Sequence, residues 1–468
     1  MSAAGTAAQP LRVVVVGAGP AGFYVAEHLQ RRDDVVVEVD MLDRLPTPYG
    51  LVRAGVAPDH QKIKAVTAAF DKTAAHPRFR FFGGVELGKD VTVAELRGHY
   101  HQIVYTTGAQ TDRRMGIPGE DLPGSHPATE FVAWYNGHPD YRDCQFDLSQ
   151  ERVAVVGVGN VAVDVARILS RTPEELEKTD IADHALEALR QSRVKEVYLL
   201  GRRGAAQAAF TNPEVKELGE LEGADVAVIA EEVELDQLSR ESLEKTGDRA
   251  GFKKVEILQE YARRAPAGKP RRLVLRFLVS PVALTANGAG AVGGLRLVHN
   301  RLVASATGTI QAQATERFED LSVGLAFRSV GYRGVPLPGV PFDEKWGVIL
   351  NQKGRVLDPD SKQPQLGEYT AGWIKRGPSG VIGTNKPDAA ETVVAMLEDA
   401  AAGRVLTPTE PDRAAAERLL RQRQPRLVTY AEWLRLNALE IERGRPRGRP
   451  RVKFTRVDEM LAALGNRG

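Results

Sequence analysis

Cys144 is the one cysteine among 468 residues. A single thiol forms no internal disulfide and no redox-active dithiol, and it falls short of the roughly four thiolates that hold an iron–sulfur cluster. Passing electrons from a cofactor to a cysteine pair is therefore excluded, and any metal centre has to sit on a partner; no metal ligand is assigned in this chain. Cys144 itself reads as a plain core or loop residue. Charge of one sign is missing too: 63 Lys and Arg against 61 Asp and Glu leave a net charge of +2. That is too little to mark the whole surface for nucleic acid. No apolar run approaches the roughly 18 residues of a spanning helix, so no membrane segment is expected. The stretch Met1 to Pro10 has neither a secretory apolar core nor an Arg-rich targeting pattern, and a cytoplasmic enzyme of a prokaryote is the expectation. A Ser/His/Asp triad pattern is absent as well.

What the chain does have is two glycine-rich turns. Val13 to Val16 runs into Gly17-Ala-Gly19-Pro-Ala21-Gly22, and Val153 to Val156 runs into Gly157-Val158-Gly159-Asn160-Val161-Ala162. A β-branched run, such a turn and then helical periodicity is the context in which these glycines bind a dinucleotide. The first glycine permits the bend, the second lets the backbone approach a pyrophosphate, and the third lets the helix pack on the sheet. The helix starting near Pro20 then aims its amides and positive dipole end at the phosphates. A second strand, Val35 to Leu42, leads to Asp43. An acid about 20 residues beyond the glycines is where ribose hydroxyls are bound.

The second unit differs. After a polar, helical insertion around Pro173 to Gln191, the strand Val194 to Leu200 ends in Gly201-Arg202-Arg203-Gly204 and in no acid. A carboxylate there repels a 2′-phosphate, whereas guanidiniums fork onto one. The second turn is expected to prefer NADP(H) to NAD(H), unless the two arginines are plain surface charges. Two different turns suggest two dinucleotides facing each other, as in a flavoprotein that exchanges hydride with a nicotinamide.

Further along, Leu273 to Val279 and Leu295 to Leu302 read as β-rich, with Asn287 to Gly294 a glycine-rich loop between them, and Leu321 to Tyr332 reads as a returning strand. Gly and Pro punctuation from Gly331 to Pro341 marks a boundary. Tyr369 to Trp373 then reads as a strand entering another glycine-rich turn, with a helix from about Asp388 to Ala401 and an exposed loop over Arg443 to Arg451. The expected class is α/β, with two Rossmann-like dinucleotide domains and the NADP domain inserted into a discontinuous FAD domain. The expected segments are 1–110, 111–333 and 334–468.

Five segments carry a family resemblance: Gly17 to Tyr24, Tyr49-Gly-Leu-Val-Arg-Ala-Gly-Val-Ala-Pro-Asp-His60, Gly157 to Arg167, Gly201 to Gly204, and Gly372-Trp-Ile-Lys-Arg-Gly-Pro-Ser-Gly-Val-Ile-Gly-Thr-Asn385. On these the chain resembles the adrenodoxin-reductase-type ferredoxin–NADP(+) reductases from its first strand to its last helix. The resemblance implies FAD held around Ala21, Asp43, Leu51, Leu87, Trp373, Gly380, Val381 and Ile382. It implies NADP(H) at Val158 to Val161, Arg202, Arg203 and Glu214, with Gly380 near the nicotinamide. His60 and Glu217 resemble the family's active-site pair, which poises the site or handles a proton, with a plain structural histidine as the other reading. Asp164 is either a polar contact near the flavin edge or only a helix residue. The implied activity is hydride transfer from NADPH to FAD, followed by single-electron delivery to a ferredoxin. The implied partner is acidic and docks near the basic cluster of Arg263, Arg264, Lys269, Arg271 and Arg272, and the protein is a monomer by the same likeness. An NADPH-dependent flavin diaphorase or quinone reductase, and a non-catalytic NADP(H)-sensing flavoprotein, are the alternatives.

Overall fold

In the computed structural model of the chain, residues 4–465 are described. The chain divides into two compact units. One comprises Met1–Val56, His60–Thr111 and Tyr332–Gly468, and the other Ala57–Asp59 and Asp112–Gly331. The first is thus assembled from both ends of the sequence, the second mostly from its middle.

Among the described residues, the first unit is built on an eight-stranded sheet whose five central strands are parallel. They run in the order Pro364–Thr370, Gln102–Tyr105, Leu11–Val16, Val37–Asp43 and Phe79–Gly83. Leu11–Val16 is buried along its whole length, as a central parallel strand covered on both faces must be, and its β-branched run suits that place. The helix Pro20–Gln30 starts with proline in its first turn, where the missing N–H costs nothing. Its Phe23, Val25, Ala26 and Leu29 enter a core shared with Ala389, Val393 and Met396 of the long helix Asn385–Ala401. The C-terminal part of the chain therefore closes the face that the first helix opens.

The second unit carries an all-parallel six-stranded sheet, ordered Ser125–Pro127, Leu325–Arg328, Arg152–Val156, Glu196–Leu200, Arg271–Arg276 and Ala224–Val228. Beside it stands an antiparallel three-stranded sheet of Val279–Ala286, Val292–Ala304 and Ile310–Leu321. The helical insertion resolves into Pro173–Glu177, opened by a Thr172/Glu175 capping box, and Asp183–Arg190.

Four expectations change in detail. The second strand begins at Val37. The run Leu273 to Val279 is not one strand: Leu278 has φ 56°, a left-handed kink that sends the chain from the parallel sheet into the antiparallel one. The returning strand is only Leu325–Arg328, because Leu321 still belongs to the strand before it. Arg443 to Arg451 is exposed at most of its positions, as expected, but is not simply a loop. Helix Tyr430–Gly444 runs into it, Arg449 is buried, and Arg451 reaches back to the Asn437 side-chain oxygen at 2.6 Å.

Candidate functional site

The two glycine turns repeat one geometry in separate units. Gly17 has φ 110° and Gly157 φ 130°, and a Cβ on either would stand 2.7 Å from the Thr106 carbonyl oxygen and 2.1 Å from that of Ser329. Backbone conformation and the neighbouring strand both demand glycine there. At Gly22 a Cβ would meet the Gly17 carbonyl oxygen at 2.3 Å, so helix and turn touch. The middle glycines behave differently. Gly19 and Gly159 have ordinary φ values of −84° and −97°, and a Cβ on either would find nothing within 4 Å. Nothing among the described residues asks for glycine at these two positions.

Both helices that follow are eleven residues long, have no side-chain cap, and carry no acid in the first turn. Orphan amides and the positive dipole end are left facing the cradle, which is the arrangement that takes phosphate. The first turn is braced by Thr106, whose hydroxyl donates to the carbonyls of Val16 and Gly17 at 3.1 and 2.7 Å. Asp43 sits at the end of its strand and accepts the amides of Ala18 at 2.8 Å and Leu45 at 2.9 Å. Burial pushes its carboxyl above the ordinary aspartate value against the pull of those two amides.

Around the first turn the expected residues fall in different environments. Ala21 is packed under Gly372, whose φ of 82° brings it so close that a Cβ would stand 2.5 Å from the Ala21 Cβ. Leu51 and Val381 are apolar yet 41% and 51% exposed, whereas Leu87 is buried beside Val16 and Leu42. Trp373 stacks on Tyr332 at 5.5 Å between ring centres, and its indole N–H donates to the Ser379 carbonyl. Arg376 clasps the loop carrying Gly380 to Ile382, donating to the Ser379 carbonyl at 2.6 Å, Thr384 Oγ1 at 3.1 Å and Asn385 Oδ1 at 3.0 Å. Ile382 packs against the core, and Gly380 takes φ 78°.

In the second unit the carbonyl of Val158 accepts the amides of Ala209 and Phe210, each at 2.9 Å. Asn160 Oδ1 accepts the amide of Thr211 at 2.9 Å. Val158 and Val161 lie half-buried against the core. The Arg202–Arg203 turn is pinned from the antiparallel sheet. Asn300 donates to the Arg202 carbonyl at 2.8 Å, and the kinked Leu278 donates to that of Arg203 at 3.1 Å. Their guanidiniums have no carboxylate partner among the described residues; Arg203 reaches only the Ile310 carbonyl, at 3.5 Å. Burial, and then the neighbouring Arg202, push the Arg203 pKa below its ordinary value.

Three expected residues, Asp164, Glu214 and Glu217, converge on a fourth that the sequence reading left at the end of a motif. Arg167 is fully buried. Its Nε and Nη2 donate to Asp59 at 2.7 and 3.1 Å, Nη2 also to Asp164 at 2.7 Å, and Nη1 to Glu214 at 3.3 Å, with Glu217 at 3.8 Å. Arg171 supports Asp59 from one turn further, at 2.8 Å. These carboxylates hold Arg167 charged, with its pKa well above the ordinary value despite burial. An Asp–x–x–Arg spacing on a helix signals only the Asp164 contact of this hub. His60 is half-buried in the first unit, ahead of the short helix Gln61–Lys64, while Glu217 stands in the second.

The basic cluster is thinner than its sequence suggests. Arg271 turns inward to the carbonyls of Arg171 at 2.6 Å and Val194 at 3.2 Å, and Arg264 lies over the Tyr261 ring and donates to the Gly219 carbonyl. Lys269 donates to the Leu221 carbonyl. Arg263, Arg264 and Arg272 remain exposed. Cys144 is half-buried, and no described helix is long and apolar enough to cross a membrane.

Comparison with known proteins agrees with this geometry. Residues 11–232 match the pyridine nucleotide-disulphide oxidoreductase family model. The chain is 46% identical over 456 residues to the NADPH-ferredoxin reductase FprA of Mycobacterium leprae, covering 96% of this chain and 97% of that protein. It is 40% identical to the mitochondrial NADPH:adrenodoxin oxidoreductase of Arabidopsis thaliana, over 98% of this chain and 96% of that protein. A solved structure of Mycobacterium tuberculosis FprA in complex with NADPH superposes with a TM-score of 0.91 at 45% identity, covering 97% of this chain and all of that one. The chain belongs to the NADPH–ferredoxin reductases of the adrenodoxin-reductase type.

Proposed function

We propose that this protein is a ferredoxin–NADP(+) reductase, with FAD on the first glycine turn and NADP(H) on the second. The observation that carries the reading is the pair of open backbone approaches at Gly19 and Gly159, one accompanied by Asp43 and the other by Arg202 and Arg203, which have no carboxylate partner among the described residues. FAD, when bound, supplies the conversion of one hydride into two single electrons. The protein's part is to bind, orient and exclude. Residues 1–110 and 334–468 would carry FAD, and 111–333 NADP(H).

Within that division Gly17 and Gly22 set the turn, the Gly19 backbone and the following amides take the pyrophosphate, and Asp43 keeps lone pairs for ribose hydroxyls. Ala21, Leu51, Leu87, Trp373 and Gly380 to Ile382 line the flavin, the exposed Leu51 and Val381 being those left to be covered. Gly157 to Val161 cradle the second pyrophosphate, Arg202 and Arg203 fork onto the 2′-phosphate, and Glu214 contacts the same dinucleotide. Asp164 shapes the polar edge of the site, with Arg167 fixing it. His60 and Glu217 handle the proton that accompanies hydride transfer.

The relatives' names point to a ferredoxin as electron acceptor. An acidic ferredoxin meeting a monomer in the cytoplasm completes the reading, with Arg263, Arg264 and Arg272 the exposed members of the basic cluster that would meet it. Cytochrome c reduction by NADPH, measured with and without added ferredoxin, tests it. Stimulation by ferredoxin supports the reductase, and an equal rate without it supports a diaphorase.

A further inference from the structure

Tyr49 carries an unusual backbone. Its φ of 83° is left-handed in a bulky aromatic residue, and Gly50 follows with φ 49°. Residues persist in such conformations only where their surroundings over-determine them. At Tyr49 the surroundings are unusually complete. Its amide donates to the Ala18 carbonyl, inside the first glycine turn, at 2.7 Å. Gly50 comes so near that a Cβ on it would stand 3.0 Å from the Gly19 Cα. The segment 49–51 thus lies directly against the open backbone at Gly19, with the exposed Leu51 next in the chain.

The side chain anchors this segment from the opposite direction. The Tyr49 hydroxyl donates to Asp71 Oδ1, which also accepts the Tyr430 hydroxyl at 2.5 Å, and the Trp433 indole N–H donates to the Tyr49 oxygen at 3.3 Å. The Tyr49 ring packs against Phe23, Phe70 and, edge-on, Trp433 at 5.5, 6.1 and 5.8 Å between centres. Arg53 adds a second tie to the same C-terminal helix, forking onto Glu440 at 2.8 and 2.5 Å over the Trp433 ring. None of these anchoring groups is among the residues assigned to cofactor or proton.

We propose that Tyr49 is a positioning residue for the flavin side of the site: through Asp71, Tyr430 and Trp433 it presses backbone 49–51 onto the Gly19 cradle, and so sets how tightly FAD is held. The inference rests on FAD occupying the first turn. Losing a hydrogen bond to a charged group while the cradle itself is intact is expected to weaken FAD binding by about tenfold. Tyr49→Gly is expected to weaken it further, although glycine accepts φ 83° without strain, because the anchor goes with the ring.

The test uses deflavinated full-length wild type, Tyr49→Phe, Asp71→Asn and Tyr49→Gly, titrated with FAD by quenching of flavin fluorescence. Melting of the apo and holo forms is recorded in parallel. Weakened binding in Tyr49→Phe and Asp71→Asn, with apo forms melting close to wild type and FAD-induced stabilisation reduced, is the expected result. FAD affinities within twofold of wild type in both conservative variants, or a Tyr49→Gly protein that binds like wild type, overturn the inference. Apo and holo forms losing stability equally would mark the network as structural only and overturn it as well. Failure of the wild type to take up FAD overturns the cofactor reading itself, a result distinct from either of these.

Discussion

At the residue scale, the informative contrast lies between glycines of the same turn. Gly22 is demanded by the protein, since a Cβ there collides with backbone at 2.3 Å, while Gly19 is demanded by nothing within 4 Å. Gly19→Ala is therefore expected to leave the apoprotein's stability within about 0.5 kcal/mol of wild type, while lowering FAD affinity. Gly22→Ala is expected to destabilise the apoprotein by roughly 1–3 kcal/mol through overpacking. Urea unfolding of both apo variants, with FAD titration of each, separates the two roles. Sequence spacing made both glycines legible as one motif. It did not reveal that they answer to different demands, because that depends on what stands opposite each Cα. Tyr49 shows the same limit: its motif was legible, but its left-handed backbone depends on Asp71, Tyr430 and Trp433, far away in the chain.

At the scale of elements, the helix Asn160–Ser170 does two things with opposite ends. Its N-terminus faces the cradle, and its last turns carry the buried Arg167 that gathers Asp59, Asp164 and Glu214. Removing one partner from a buried ion cluster leaves uncompensated charge, so Arg167→Met is expected to cost about 3–5 kcal/mol. Arg167→Lys, which keeps the charge and loses the fork, is expected to cost less; urea unfolding ranks the two. The strands and helices that hold the glycine turns were legible because each is a continuous periodic segment. The hub was not, since its partners come from three separate stretches of chain.

A pH effect belongs to this scale too. Asp112 accepts the Thr129 amide at 3.0 Å and hydroxyl at 2.7 Å, yet burial raises its pKa from 3.8 to about 6. A raised carboxyl means that the folded form holds the proton more tightly. Its stabilisation is full below about pH 4 and is lost as pH rises through about 6. Relative to Asp112→Asn, wild type is expected to lose roughly 2–3 kcal/mol between pH 4 and pH 7. Urea unfolding of both proteins at the two pH values measures it.

At the scale of the whole molecule, near-neutrality and local charge have to be read together. A net +2 hides an arginine pair with no carboxylate partner among the described residues and a basic cluster whose exposed members are Arg263, Arg264 and Arg272. If an acidic ferredoxin meets those residues, its reduction rate should fall steeply as salt rises, since screening acts within about 10 Å at 0.1 M. Direct reduction of a neutral dye should change little over the same range. Assembly of the first unit from both chain ends was legible because the second glycine turn interrupts one pattern and Tyr369 to Trp373 resumes it. The inward-turned Arg271 was not, because a charged residue in sequence carries no sign of the carbonyls it will meet.

The account stands on two cofactors held by two cradles, the second selecting for a 2′-phosphate. Anaerobic stopped-flow bleaching of the flavin band by NADPH and by NADH, in wild type and in the Arg202→Ala/Arg203→Ala variant, tests it most directly. The account predicts a yellow protein that NADPH bleaches readily, with apparent affinity for NADPH at least about tenfold weaker in the variant and that for NADH little changed. A protein that stays colourless with FAD, or one whose variant loses NADPH and NADH equally, would contradict it.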